Sequence, residues 1–363
     1  MKRAIAILLI AISLFTAGAS ARTWLVNADG TGDAPTIQAA VDSAAGGDIV
    51  LLANGTYRGT GNRDVVVHKS ITIRSDGGNP EHCIIDCQGS AAQNHRGFQC
   101  DAQNVLIEGI TIKSGYHERA GAVDMATNYE GLIALSRCHL INNHAIYGGA
   151  LGCLLLGWEN YDVTDCLFSG NSAVDYGGAL FLEWHLNPDS DFKVCNCTFV
   201  GNSSYYGSVI AEWFYEPPLN SSLGEGEGTH FRNCTLVYNS GPCLAFGTLM
   251  KAEQTIIAYN GWVTPFLNSR PWLACVNVYG NEGGDWIGHI SDQYGIRGNF
   301  SGCPSFCSVP AGDLHLCDES PCLPGNHPDA YDCGLIGAWD MGCFCGVSRT
   351  EPTAWGTIKA MYR

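Results

Sequence analysis

The sequence lacks a long apolar run past its first fifteen residues, so nothing later in the chain offers the ~20 apolar residues that a membrane-spanning helix needs. Basic residues are also scarce, with 19 Lys and Arg against 35 Asp and Glu. The only early ones, Lys2 and Arg3, begin a basic, then apolar stretch (Ala4 to Phe15) that closes on Ala19-Ser20-Ala21. That order is the pattern of an export signal over residues 1–21, with a membrane anchor as the competing reading. Removing it leaves 17 basic residues against 35 acidic, a balance of −18. A surface so acidic excludes nucleic acid as a natural partner, and it repels polyanionic glycans unless calcium bridges the two. The plainer reading of the acidity is solubility outside a cell. No C-x-x-C pair occurs among the 18 cysteines, which argues against a zinc knuckle.

What is present is a repeat. SRCHLINN starts at Ser136, TDCLFSGN at Thr164, CNCTFVGN at Cys195, RNCTLVYN at Arg232 and a degenerate EQTIIAYN at Glu253. Cys138, Cys166, Cys197 and Cys234 each precede an asparagine by five residues (Asn143, Asn171, Asn202, Asn239), and Thr255 stands before Asn260. A large apolar residue follows two places after the cysteine position: Leu140, Phe168, Phe199, Leu236, Ile257. The element YGGAL follows at Tyr147 and Tyr176 and decays to YGSVI at Tyr206. Cysteine spacings of 28, 31 and 37 exclude paired-helix repeats, which tolerate drift poorly. Short strands with period-two alternation tolerate it well, because extra residues leave at the corners. The pattern therefore predicts an all-β solenoid, a parallel β-helix with one rung per repeat. It sets Cys, Phe and Leu inward, stacked about 4.8 Å apart, and a ladder of asparagines at a corner with left-handed backbone.

The pair F-x-x-N (Phe168 to Asn171, Phe199 to Asn202) and G-G-A-L (Gly148 to Leu151, Gly177 to Leu180) resembles the repeats of chlamydial polymorphic outer-membrane proteins. More widely the chain, from about Thr23 to Asp340, resembles secreted bacterial proteins of the pectate-lyase-like superfamily. The resemblance implies a right-handed parallel β-helix. It implies no single activity, because that superfamily includes lyases, hydrolases, adhesins and proteins without a known reaction.

Taken in order, Thr23 to Tyr57 predicts a first strand, then a short amphipathic helix near 36–45, starting at Pro35. Its apolar face is Ile37, Ala40, Val41 and Ala44, and it is the expected cap over the N-terminal end of the bore. One β-helix domain spans 22–345. The Cys-rich segment 303–345 is the expected C-terminal cap, stapled by disulfides of undetermined connectivity, with zinc at the close pairs Cys303/Cys307 and Cys343/Cys345 as the alternative. The cysteine column is expected as buried thiols, with rung-to-rung disulfides as the alternative. Residues 346–363 form a separate tail.

For activity, the N-T-D, D-D, G-H-G and R-I-K motifs of polygalacturonase-like chains are missing. One constellation remains. FLEWH (Phe181 to His185) and IAEWF (Ile210 to Phe214) sit at similar distances after their Gly turns, and Trp158 follows the first GGAL. If they stack, Glu183 and Glu212 form a pair of outward carboxylates suited to glycoside chemistry or to a shared calcium. Trp184, Trp213, Trp158 and His185 would then form a sugar-binding wall. The competing reading is that the tryptophans cover a loop and the glutamates are solvated. The alignment is one residue out, since Tyr176 to Glu183 is seven residues and Tyr206 to Glu212 is six. Three functions follow: an exported or surface β-helix that binds glycan or cell envelope, a polysaccharide lyase or hydrolase, and a structural surface protein. No resident cofactor is implied.

Overall fold

The computed structural model describes residues 20–126, 130–156, 159–184, 191–214, 228–245, 250–263 and 271–345. The chain winds as a right-handed parallel β-helix whose walls are three long sheets of ten, nine and seven strands. One rung shows the course: Gly131–Ser136 in the ten-stranded sheet, His139–Ile141 in the nine-stranded one, His144–Tyr147 in a short corner sheet, then Leu151–Leu155 in the seven-stranded one. Each strand pairs in parallel with its counterparts one repeat away, as Leu140 with Phe168 and Leu151 with Leu180. Residues 157–158, 185–190, 215–227 and 246–249 all fall between the seven- and the ten-stranded sheets, so most of the length drift enters at that corner, with one further residue at the register shift between Ala173 and Tyr176.

The predicted columns form. Cys138, Cys166, Cys197 and Cys234 are buried free thiols. The Cys138 and Cys166 main-chain N–H groups each donate to the next rung's sulfur (3.4 Å), and Cys234 N donates to Thr255 Oγ1. The Phe168 and Phe199 rings stack at 4.7 Å, one rung apart. The asparagine ladder runs further than the repeat suggested, through Asn143, Asn171, Asn202, Asn239, Asn260 and Asn281 to Asp285. Each ladder amide donates to the next side-chain oxygen at about 3 Å and also to a main-chain carbonyl of the preceding rung, as Asn202 Nδ2 does to Phe168 O (2.9 Å). The left-handed corner residues are not these asparagines. They are the residues just before the ladder and cysteine positions: Asn142 (φ 53), Gly170, Gly201, Tyr238, and Arg137, Asp165, Asn196, Asn233. A buried amide that bonds in four directions belongs inside the corner, while the residue turning the chain can face water. In the Gly-Gly pair the first glycine supplies positive φ (Gly148, 68°). The second allows rungs to touch, since a Cβ on Gly149 would lie 2.1 Å from Gly178 O.

At the N-terminal end the helix spans Ile37–Ser43 and packs on the first strands, with Ile37, Ala40, Val41 and Ala44 buried as expected. It is capped by the Thr36 hydroxyl rather than begun by Pro35. The C-terminal end departs from expectation. The short 3-10 helix Gly288–Gln293 closes the bore: Ile290 joins the main core, and Gln293 bonds Leu273 N and Pro271 O. The Cys-rich segment runs instead as a strap along the outside of the nine-stranded sheet. Asn233 donates to Leu335 O, Ala338 N to Thr235 Oγ1, and Trp339 Nε1 to Thr198 Oγ1 (2.8 Å). Ile336, Leu316 and Val309 bury against Val200, Val237, Ile256 and Ala258 as a second core. Disulfides Cys275–Cys333, Cys307–Cys343 and Cys317–Cys345 hold this strap. Cys307, Cys343 and Cys345 are each consumed in a disulfide and only Cys303 of the two close pairs is left as a thiol, which removes the zinc alternative. Among the described residues no helix is long and apolar enough to cross a membrane.

Candidate functional site

The two E-W pairs do not align. Residue pairing sets Glu183 opposite Trp213, Leu182 opposite Glu212 and Trp184 opposite Phe214. Both strands begin four residues after their turn tyrosine, at Leu180 and Ile210, so no bulge absorbs the one-residue difference. A slip of one reverses the face. Glu183 and Trp213 point outward, and Trp213 is 46% exposed. Glu212 (8%) and Trp184 (3%) point into the bore, where the Trp184 ring stacks on Phe214 at 5.8 Å. The expected pair of outward carboxylates therefore does not exist, nor does a calcium site shared by them. Trp184 cannot offer its face to a ligand. Trp158 and His185 lie outside the described residues.

Glu212 takes a hydrogen bond from the Thr229 hydroxyl. Its Oε2 and the Trp184 indole nitrogen, both buried, complete no hydrogen bond of normal geometry. Burial pushes this carboxyl up to about 7, against the pull of Thr229 and Trp184 toward the charged form.

The outer face of the seven-stranded sheet carries what the sequence reading passed over. Asp124 stands in register between Gln99 and Gly152, followed by Phe181 and Ala211. Arg96 Nη1 bonds Asp124 Oδ2, Arg119 Nε lies 3.3 Å from Asp124 Oδ1, and Arg119 Nη1 lies 3.4 Å from Glu183 Oε2. The result is a line of alternating charge, Arg96–Asp124–Arg119–Glu183, spanning four rungs. Arg119 passes over Gly152, where even a Cβ would come within 3.3 Å of its Cγ and Nε. His117 sits against Arg96, 2.5 Å from Nη2, and burial first, then the Arg96 charge, lower its basicity. Arg119 Nε and Nη2 and Asp124 Oδ1 are buried without a hydrogen-bond partner among the described residues.

An aromatic wall adjoins this line. The Tyr147, Tyr176 and Tyr206 rings stack at 6.1 and 5.1 Å. Phe181 lies 5.5 Å from Tyr147, and Trp213 meets Tyr176 edge-on at 5.6 Å. The tyrosines are the first residue of each YGG turn, so the repeat itself builds the wall. The sequence did hold a signal for Asp124. AGAVD (Ala120 to Asp124) is an earlier copy of GGALG and GGALF, with an aspartate at the outward position held later by Gly152 and Phe181. Among the described residues the one grouping close enough to hold a metal is Cys317, Asp318 and Cys345, and its two sulfurs are joined to each other.

Residues 165–183 match the Chlamydia polymorphic membrane protein repeat, a stretch that runs from the corner aspartate through the ladder and Tyr176 to Glu183. A search of curated proteins gives no match. Similar solved structures include the deglycosylated pectin methylesterase of Aspergillus niger, at 15% identity and a TM-score of 0.47, covering 82% of this chain and 95% of that one. Carrot pectin methylesterase follows at 17% and 0.47 (78% and 88%), and pectate lyase Pel9A at 14% and 0.42 (90% and 98%). No residue role passes from them to this chain.

Proposed function

We propose that this is an exported or surface-displayed β-helix that binds a glycan along the outer face of its seven-stranded sheet. The observation that carries the reading is the Tyr147–Tyr176–Tyr206 stack with Trp213 at its edge, set beside the Arg119–Glu183 pair. Sugar rings present apolar C–H faces rimmed by hydroxyls. Aromatic side chains fit the first, and fixed charged donors and acceptors fit the second. Binding is favoured over two-carboxylate hydrolysis because Glu212 is turned away from Glu183. The disulfide-held strap and the basic-then-apolar start of the chain support export.

The test is a glycan array probed with the wild type and with Trp213→Ala and Glu183→Gln, each with turnover detection. Trp213→Ala is expected to weaken the best glycan by roughly tenfold, the worth of one aromatic contact, with no product formed. Product that disappears in Glu183→Gln would instead select an enzyme. Silence across the array would leave a structural surface protein.

A further inference from the structure

From Cys275 onward the chain carries eight cysteines, and three disulfides use six of them. The two left over are Cys303 and Cys322, both free thiols, Cys322 fully buried and Cys303 half-buried. They are neighbours. Asn277 of the last rung takes Gly302 N on Oδ1 (3.0 Å). Its Nδ2 donates both to Gly302 O (2.8 Å) and to Cys322 Sγ (3.1 Å). On the other side Ser320 Oγ donates to Pro304 O (2.6 Å) and accepts from Cys322 N (3.2 Å). A Cβ on Gly302 would stand 3.2 Å from Pro321 Cγ. Segments 302–304 and 320–322 therefore lie side by side, pinned across both flanks. Cys303 Sγ meets the Tyr259 hydroxyl at 3.4 Å. The Cys303 sulfur is also close enough to add to the effect of burial on the Cys322 thiol, which stands at about 12 against the pull of Asn277 and Ser320.

We propose that Cys303 and Cys322 are a fourth disulfide site, so that every cysteine from Cys275 onward is paired in the mature protein. The proposal stands apart from the glycan reading. The ladder cysteines do not compete, because their sulfurs bond main-chain groups inside the bore.

The oxidant is a small disulfide such as oxidised glutathione. Cys303 is the solvent-reached thiol, and as thiolate it attacks one sulfur of the oxidant. The oxidant's S–S bond breaks, one glutathione leaves as thiolate, and Cys303 holds the other as a mixed disulfide. Cys322 then gives its proton to solvent and attacks Cys303 Sγ, releasing the second glutathione. Two protein thiols lose two hydrogens and two electrons, and one glutathione disulfide gains them. The second step is slow, because a buried thiol that holds its proton so tightly presents little thiolate. The bond should be the last of the four to close.

The experiment uses the full chain, oxidised to equilibrium in a glutathione buffer, alkylated in denaturant without reduction, digested and weighed. The expected result is a linked 303–322 peptide, lighter than its two parts by two hydrogens, beside the three other bonds, so that twelve alkylatable cysteines become ten. In Cys303→Ser, Cys322 should become fully alkylated while the other three bonds persist. Alkylation of both Cys303 and Cys322 in the wild type overturns the proposal, as does a bond from either one to any other cysteine.

Discussion

Glu212 is the residue at which this molecule departs furthest from its own pattern. Its column on the seven-stranded sheet reads Met125, Cys153, Leu182, Glu212, so a carboxyl stands where the repeat places apolar groups. Only the Thr229 hydroxyl and the Trp184 indole soften the cost, and no charged partner contributes. The group is an acid whose proton is held more tightly in the folded state than in the unfolded chain. Stability it lends is therefore complete below the unfolded value, 4.5, and is lost as pH climbs toward about 7. The shift corresponds to roughly 3 kcal/mol. Glu212→Gln, which keeps the shape and removes the titration, should flatten the fall in unfolding free energy between pH 5 and pH 8 relative to wild type, as measured by chemical denaturation. Parallel pH profiles for the two proteins would show that Glu212 is not buried as an acid. The inward orientation was legible in the letters: YGGALFLEW and YGSVIAEWF share the distance from tyrosine to strand start, and only the E-W step slides. What was missed is that the glycine turn sets register, so one residue decides the face.

At the scale of the element, the asparagine ladder and the strap carry opposite lessons. The ladder was legible, because a fixed offset from an inward residue means a fixed place in the rung. Asn202 makes four side-chain hydrogen bonds, to Asn171 N, Asn171 Nδ2, Phe168 O and Asn239 Oδ1. Asn202→Ala strands buried partners on both sides and should cost at least ~3 kcal/mol. Asn142, exposed and left-handed at φ 53, should accept glycine with a change within about 0.5 kcal/mol. Equal losses in denaturant titrations of the two variants would contradict the assignment of the ladder to the interior and of the turn to its neighbour. The strap was not legible from its own sequence, which has no period. Its footprint was. TFV at Thr198, TLV at Thr235 and IIA at Ile256 are apolar or small on both parities, and each is buried on both faces. A one-sided wall would alternate. The end of the bore, meanwhile, needed little: one 3-10 turn that drops Ile290 into the core.

At the scale of the whole molecule, a solenoid has no single core, and each rung is stabilised by its neighbours. The strap breaks that rule on one side. It touches Thr198, Thr235 and Gln254 by hydrogen bonds and is fastened to the last corner by Cys275–Cys333, so it couples rungs that do not touch each other. The bond closes a loop with a sequence separation of 58 residues. In the chain-entropy account, closing a loop of that size is worth about 4 kcal/mol. If that coupling is local, replacing Cys275 and Cys333 by serine should loosen the C-terminal rungs alone. Amide hydrogen exchange should then quicken across Thr235–Val237, Ile256–Ala258 and Asn277–Tyr279 and in the strap. The strands from Thr23–Val26 to Cys83–Asp86, under the N-terminal helix, should keep wild-type protection. Denaturant unfolding should also change from one transition to two. Uniform loss of protection along all rungs would mean that nearest-neighbour coupling is strong enough to make the coil a single cooperative unit. The strap would then stabilise the molecule as a whole, with no selective hold on the rungs it covers.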